Sequence, residues 1–258
     1  MLRAASELKN IAIAATDGEI GSVKDLYFDD MSWTVRYLVV DTGSWRPGRQ
    51  VLISPHSVAG QPEADRIRVS LTREQVENSP PIDTDKPVNR QREISLSQYD
   101  QYPYDWEGPY RWGPVAYPGV PITPLPAGAM ADQVVAGALD GGGDPHLRSV
   151  RDINEYSIAA TDGDIGHVED FVIDDRAWAI RYIIVDTGNW WPGKKVVTSP
   201  EWIQEVSWAD SRVYVDLSRE ELNAAPEYVP GQPFERGYET RLFEHHNRRK
   251  YWERGAGG

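Results

Sequence analysis

The sequence predicts a mainly β protein with two small β-barrels in tandem, each followed by a short helix and an extended or helical arm. The first reason is a duplicated stretch, because TDGEIG at residues 16–21 returns as TDGDIG at residues 161–166. The spacing then stays the same as far as a Ser-Pro pair, at residues 54–55 and again at residues 199–200. The second reason is that each copy alternates turn signals with short segments rich in β-branched and aromatic residues, which is typical of small barrels.

The duplicated motif predicts a hairpin followed by a bent strand. Asp17-Gly18 and Asp162-Gly163 are expected to form tight turns, because Asp-Gly pairs tolerate the positive φ that two-residue hairpins require. In the next strand, over residues 20–29, the apolar positions break the period-two alternation, and the second copy repeats the break. Such a break indicates a β-bulge or a corner, with which small barrels curl their sheets.

A strongly strand-like segment follows in each copy, at residues 34–41 and 179–186, and each segment carries one arginine among apolar neighbours. Arg36 and Arg181 could each bind an anion, but a covered arginine more often pairs with a carboxylate of its own barrel. The partners that the sequence favours are Asp25 and Asp41 in the first copy, and Asp170 and Asp186 in the second.

Each barrel is expected to end in a short helix and to continue into an arm. Capping-box sequences at Thr72 and Ser218 predict where these helices begin. The arms end in Trp106 and Trp252, and we expect them to pack across barrels, on each other or on a second subunit, so that the tryptophans are buried. The predicted domains are a first barrel (1–80), a first arm (81–106), a Pro/Gly-rich linker (107–145), a second barrel (146–226) and a C-terminal arm and tail (227–258).

Composition and charge exclude several classes of protein. The net charge of −13 argues against broad, charge-driven binding to nucleic acid or anionic lipid, because both require a dense cationic face. The chain has no cysteine, which excludes disulfides, thiolate zinc sites and cysteine nucleophiles. No apolar core of signal-peptide length opens the sequence, and no window approaches the roughly 18 apolar residues of a membrane helix. The cytoplasm is therefore the expected location.

No catalytic, cofactor-binding or metal site is predicted. Carboxylates cluster at the hairpin turns and at the ends of the long strands, but the turns offer too few convergent oxygens for a calcium loop. The strand-end pairs could hold a hard cation, although an aspartate there more often bonds its own backbone. No histidine spacing typical of metal sites and no nucleotide-binding motif occurs. The turn carboxylates are Asp17, Glu19, Asp162 and Asp164, and the strand-end pairs are Asp29-Asp30 and Asp174-Asp175.

The loop after the third strand of each copy is the candidate interaction site. It combines tryptophans, cations and a rigid Pro-Gly turn. Exposed Trp and Arg are enriched at binding hot spots, and an aromatic ring with a cation can also stack on a nucleic-acid base. The alternative is that the tryptophans cap the barrel ends beside solvated cations. The candidate residues are Trp45, Arg46, Arg49, Trp190, Trp191, Lys194 and Lys195.

The motif strings resemble the PRC-barrel family, through TDGEIGSVKDLYFDD and RYLVVDTGSW in the first copy and TDGDIGHVEDFVIDD and RYIIVDTGNW in the second. This barrel occurs in the H subunit of purple-bacterial photosynthetic reaction centres and at the C-terminus of ribosome-maturation factors. The layout resembles stand-alone tandem members found in many bacteria. It departs from the H subunit, which carries a membrane helix, and from the maturation factors, which carry a different first barrel.

The resemblance implies a docking or assembly barrel with no catalytic residues of its own. The first hypothesis is therefore a non-enzymatic module for a protein partner, dimeric through its arms. The second is an RNA- or ribosome-associated factor, and the third is a peripheral barrel of a photosynthetic or electron-transfer membrane complex. An enzyme has the least support, and no cofactor is expected.

Overall fold

The structure is a computed structural model that describes residues 1–43, 48–79, 146–188 and 194–253. It confirms a mainly β protein with a few short helices. The chain divides into two compact units. The first-repeat unit consists of Lys9–Ser149 and Arg176–Ala179, and the second-repeat unit consists of Met1–Leu8, Val150–Asp175 and Ile180–Gly258.

Thirteen strands lie within the described residues, with the same succession of lengths in both repeats for most elements. The strands are β1 (Leu2–Ala4), β2 (Ala12–Ala15), β3 (Gly18–Asp29), β4 (Thr34–Asp41), β5 (Gln50–Ile53), β6 (Arg66–Arg68), β7 (Leu147–Ser149), β8 (Ser157–Ala160), β9 (Gly163–Asp174), β10 (Ala179–Asp186), β11 (Lys195–Thr198), β12 (Ile203–Ser207) and β13 (Arg212–Val215). The helices are α1 (Ala5–Leu8), α2 (Arg73–Asn78), α3 (Val150–Ile153), α4 (Arg219–Ala224) and α5 (Arg236–His245), with 3-10 turns at Pro55–Ser57, Pro200–Trp202 and Tyr251–Glu253.

Each unit is built on one curled sheet. The order is β6–β2–β3–β4–β5 in the first-repeat unit and β12–β13–β8–β9–β10–β11 in the second-repeat unit. The pairings β2–β6 and β8–β13 are parallel, whereas the hairpins β2–β3 and β8–β9 are antiparallel. Neither ladder closes through hydrogen-bonded strands in the described residues. Instead, the 3-10 turns Pro55–Ser57 and Pro200–Trp202 lead the chain from one end of the sheet towards the other.

The predicted break in the long strand is confirmed in the first copy. The register of β3 against β4 shifts between Val23 and Asp25 and again between Tyr27 and Phe28, and β2 shifts against β3 between Ile13 and Ala14. In the second copy, β8 shifts against β9 between Ile158 and Ala159. Bulges bend a strand, so its two halves can face the same interior. The fully buried side chains of the long strands, all below 1% exposure, are Val23, Leu26, Phe28, Ile165, Val168, Phe171 and Ile173.

The second glycine of each duplicated motif is required by a close approach of two strands. A Cβ atom built on Gly21 would lie 1.9 Å from the carbonyl oxygen of Asp41. The same atom on Gly166 would lie 1.9 Å from the carbonyl oxygen of Asp186. Only a residue without a side chain fits at that distance, which explains why the motif repeats this glycine.

The leading strand of each repeat completes the sheet of the other repeat. Strand β1 pairs antiparallel with β9, so that Leu2 lies opposite Asp174 and Ala4 opposite Val172. Strand β7 pairs with β3 in the same register, with Leu147 opposite Asp29. The predicted domains follow the repeats along the chain and remain a prediction, whereas each compact unit includes a strand that the other repeat contributes.

We expect Gly21→Ala to lower the free energy of unfolding by about 2 kcal/mol, because the strand pair must separate to admit the methyl group. Urea unfolding followed by tryptophan fluorescence measures the change. The control is Gly237→Ala in helix α5, where the nearest atom to an added Cβ is the end of the Arg241 side chain at 3.9 Å. That variant should be neutral or slightly more stable, since Ala has the higher helix propensity. Equal losses in the two variants would contradict the argument.

The exchanged strands also predict how the chain behaves when it is cut. With a protease site inserted between residues 107 and 145, the two fragments should remain together after cleavage, because each fragment carries a strand that pairs with the other. Size-exclusion chromatography at neutral pH should show one complex with the mass of the intact chain. Separation of native fragments at micromolar concentration would contradict the prediction.

Candidate interaction site

The two candidate loops leave the sheet from bases that are built alike. The Thr42 hydroxyl donates to the Arg49 carbonyl oxygen at 2.9 Å, and the Thr187 hydroxyl donates to the Lys194 carbonyl oxygen at 2.7 Å. These bonds join the first and last residues of each loop. The base of each loop is therefore fixed by the sheet.

The aspartate before each threonine fixes the same base from the other side. The Asp41 carboxylate accepts from the Gly43 amide at 2.9 Å, and the Asp186 carboxylate accepts from the Gly188 amide at 2.7 Å. Gly43 and Gly188 have φ of +54° and +53°, a conformation that glycine adopts without strain. The repeated Asp-Thr-Gly sequence thus builds a turn at the end of β4 and of β10.

Three of the seven candidate residues bind acceptors of the protein itself. The Arg49 guanidinium donates to the Ser79 carbonyl oxygen at 2.6 Å, and the Lys194 ammonium donates to the Asn223 carbonyl oxygen. Both acceptors lie at the C-terminal ends of short helices, α2 and α4, where a cation is favourable. The Lys195 ammonium pairs with the Glu169 carboxylate. Trp45, Arg46, Trp190 and Trp191 lie outside the described residues.

The hairpin aspartates connect the turns to these same helices. The Asp17 carboxylate accepts from the Arg73 amide, and the Asp162 carboxylate accepts from the Arg219 amide, both at 2.8 Å. In both cases the donor is the first residue of a helix, and the amide of such a residue has no partner within the helix. The tight turn itself falls on Thr16-Asp17, one position earlier than the Asp-Gly pair, because Ala15 pairs with Gly18. Gly18 and Gly163 then begin the long strands with φ of +150° and +138°.

The mid-strand arginines pair with other carboxylates than those that the sequence favoured. Arg36 lies 3.5 Å from the Asp29 carboxylate, and Arg181 lies 3.7 Å from the Asp174 carboxylate. The register explains the choice, since Asp29 lies opposite Thr34 and Arg36 is the next residue on that face. The aspartates expected as partners are used elsewhere: Asp41 and Asp186 in the loop bases, Asp25 and Asp170 in the interior.

Two buried aspartates bind the leading segments of the repeats. Asp25, which is 3% exposed, accepts from the Ser149 hydroxyl at 2.5 Å and from the amide of its neighbour Leu26 at 2.8 Å. Asp170 accepts from the Ser6 amide at 3.2 Å and from its own neighbouring amide at 2.8 Å. A buried carboxylate without such donors would be costly, so these segments and aspartates depend on each other.

The strand-end aspartates hold the arginines of the same leading strands. Asp30 forms an ion pair with Arg148 at 2.9 Å and a hydrogen bond with the His146 ring at 2.9 Å, and Asp175 forms an ion pair with Arg3 at 3.1 Å. Burial raises the pKa of Asp30, although the hydrogen bond from His146 and the charge of Arg148 oppose that rise. No group of three or more residues suited to a metal ion occurs in the described parts of the chain.

The second arm packs on the barrel of its own repeat. Phe243 of helix α5 is fully buried, and its ring centroid lies 5.3 Å from that of Trp202 and 6.4 Å from that of Tyr182. Phe234, which precedes the helix, stacks on Tyr182 at 4.9 Å. We had expected this arm to reach across barrels, to the other arm or to a second subunit. Its aromatic side chains instead pack against Tyr182 of β10 and Trp202 of the Pro200–Trp202 turn.

A buried carboxylate joins the arm to this barrel. Glu239, which is 1% exposed, accepts from the Tyr182 hydroxyl at 2.7 Å and from the Tyr251 hydroxyl at 2.9 Å. Arg236 pairs with its second oxygen at 2.9 Å. Burial, reinforced by the charge of Glu239, raises the pKa of Tyr251 to about 12 and raises that of Tyr182 as well. Both hydroxyls therefore keep their protons and donate at neutral pH.

The terminal tryptophan of the arm, Trp252, is half-buried. The Arg236 guanidinium lies 4.1 Å from the centroid of its ring, a cation–π arrangement. Arg181 lies 4.5 Å from the ring of the neighbouring Tyr251. Arg236 therefore contacts both the Glu239 carboxylate and the Trp252 ring, and this one cation links the end of the arm to helix α5. Trp106, its counterpart, lies outside the described residues.

His246, which ends helix α5, is a buried titratable group that the sequence did not single out. It is 8% exposed, and neither ring nitrogen has a hydrogen-bond partner among the described residues. Its ring lies 4.9 Å from that of Trp202 and 4.7 Å from that of His245. Burial and the nearby His245 lower the pKa of His246 to about 4. The imidazole is therefore neutral at neutral pH and contributes as an apolar ring.

This environment predicts an acid-sensitive arm. Because the folded-state pKa lies below the unfolded value of about 6.5, the stability that neutral His246 contributes is present above pH 6.5 and is lost as the pH falls towards 4. We expect a loss of about 2 kcal/mol at pH 4, after allowance for partial solvation. His246→Phe should remove this component from the pH dependence of urea unfolding. His56→Gln is the control, and an equal change in both variants would contradict the assignment.

A sequence model of the PRC-barrel domain matches the chain at residues 2–76 and 145–222, more than half of its length. Both matches begin at a leading strand and end within helices α2 and α4, so the leading strands belong to the matched domain whereas helix α5 does not. No curated protein matches the chain. In the described residues, no helix is long and apolar enough to cross a bilayer.

Proposed function

The chain belongs to the PRC-barrel domain family, and we propose that it is a non-enzymatic protein that docks or assembles a protein partner. The supporting observation is how its buried charged groups are used. Asp25, Asp170 and Glu239 are each bound by donors that tie one segment of the chain to another. General acid–base chemistry needs a group that can reach a substrate, whereas these carboxylates are occupied in holding the fold together.

The partner surface in this proposal is the pair of loops that carry Trp45 with Arg46 and Trp190 with Trp191. Their support is the pinned loop base, which recurs in both repeats with the same Thr and Asp bonds. A loop held at both ends presents its side chains with less loss of conformational entropy on binding, and large aromatic residues provide most of the energy at such surfaces.

A protein partner is favoured over RNA by the use of the cations. Arg49, Lys194 and Lys195 donate to acceptors within the protein, which leaves fewer cations for phosphates than the sequence alone suggests. The net charge of −13 acts in the same direction. The proposal places the protein in the cytoplasm as a homodimer, and a membrane-bound electron-transfer complex is one form that the partner could take.

The test compares capture of tagged variants from their native cells after mild cross-linking, with and without nuclease. We expect the triple variant Trp45→Ala, Trp190→Ala, Trp191→Ala to lose at least tenfold of a nuclease-resistant protein partner, because hot-spot tryptophans commonly contribute more than about 2 kcal/mol each. Trp208→Ala is the matched control, since it removes a partly exposed tryptophan outside the loops. Capture that depends on nucleic acid, or that the triple variant leaves unchanged, would count against the proposal.

A further inference from the structure

We infer that the long strand β9 of the second repeat is a docking site for the leading strand of a second copy of this chain, so that two molecules can join by exchanging residues 1–8. The site is filled in the structure by a leading strand of the other repeat, not of the same one. Strands β1 on β9 and β7 on β3 share one register, residue for residue. The second copy is thus the partner whose strand is already known to fit.

Three contacts define the site; the second and third recur in both sites, whereas the first is described for Leu147 alone. The first residue of the strand is apolar, and Leu147 lies in a buried cluster with Tyr27, Tyr37, Val39 and Leu52. The second residue is arginine, and its guanidinium pairs with the aspartate that follows the long strand: Arg148 with Asp30, and Arg3 with Asp175.

The third contact is made after the arginine, within the long strand. Here a buried aspartate accepts a hydrogen bond from the leading segment: Asp25 from the Ser149 hydroxyl, and Asp170 from the Ser6 amide. A segment that presents an arginine and, one to three residues later, a hydrogen-bond donor therefore satisfies the two shared contacts. The donor is the Ser149 hydroxyl directly after Arg148 in one leading segment, and the Ser6 amide three residues after Arg3 in the other.

None of these contacts requires that strand and site lie on one polypeptide. Exchange of an identical element between copies replaces each contact by the same contact, so the cost is mainly that of bringing two chains together. A strand tethered in the same chain has an effective concentration in the millimolar range, well above a micromolar second copy. Exchange between copies should therefore be a minor, concentration-dependent population, which an irreversible trap can collect.

The chain contains no cysteine, so single cysteines can report the pairing without background. Leu2 and Asp174 lie directly opposite each other in the antiparallel pair. Opposite residues of such strands have Cα atoms about 4.5–5.5 Å apart, within the range that a disulfide bridges. Mixing full-length Leu2→Cys with full-length Asp174→Cys under mild oxidation should yield a disulfide-linked heterodimer. Its yield should rise with protein concentration.

Two control mixtures make the result specific. Leu2→Cys with Asp210→Cys places the second thiol in an exposed turn away from the strand and should give at least fivefold less heterodimer. Adding Arg3→Ala to the Leu2→Cys chain should lower the yield severalfold, because the pair with Asp175 is lost. Adding the loop changes Trp190→Ala and Trp191→Ala should leave the yield unchanged, which separates this exchange from the docking of a different protein.

A single chain that carries both Leu2→Cys and Asp174→Cys tests whether the two strands pair within one molecule. It should close an intrachain disulfide, visible as a shift in non-reducing electrophoresis. Closure of that bond, together with mixed chains that give no more heterodimer than the Asp210→Cys control, would overturn exchange between copies. Failure to close it would overturn the strand pairing itself and with it the docking site.

Discussion

The structure depends on four carboxylates that stand on or directly after the two long strands, Asp25 and Asp30 in one unit and Asp170 and Asp175 in the other. Each pair places one buried acceptor within the long strand and one ion-pair partner at the strand end. A buried carboxylate that loses its donor costs about 1–3 kcal/mol, so the leading segment and the long strand stabilise each other in a way that apolar packing alone would not specify. Charge and hydrogen bonding fix the register of the leading strand, and burial adds the favourable free energy.

The bulge of β3 explains how Asp25 reaches the interior. A regular strand turns alternate side chains to opposite faces, and an aspartate on the inner face would have no donor. At the register shift between Val23 and Asp25 the strand places a carboxylate inside, where its own next amide and the leading segment both reach it. The nearby Gly21 allows the neighbouring strand to come close enough for this bend. The duplicated motif therefore encodes a bend, and the bend creates the position for the acceptor.

Much of this could be predicted from the sequence because it is local. Broken alternation predicted the bulge, and the capping boxes at Thr72 and Ser218 are both present with their two reciprocal bonds. The exchange of leading strands could not be predicted in this way, because the residues LRA and LRS bury the same groups whether they pair within a repeat or across repeats. The predicted carboxylate partner of Arg36 was wrong, because the choice of partner depends on a strand register that two bulges shift. Glu239 and His246 are buried because helix α5 packs on the barrel. Helix periodicity in the sequence does not predict that packing.

The arm is the feature in which the two repeats differ most. In the second repeat, Phe243 of helix α5 packs against Trp202, which lies in the turn after β11. In the first repeat the position of Trp202 is taken by Ser57, a buried residue whose hydroxyl donates to the Ser54 carbonyl oxygen at 2.7 Å. The position of Phe243 is taken by Ser97. Two serines cannot form the aromatic contact that buries Phe243, so this pair of rings has no counterpart in the sequence of the first repeat. The two repeats thus share a loop base and a strand-acceptor site, whereas the aromatic pair that holds the C-terminal arm occurs in the second repeat alone.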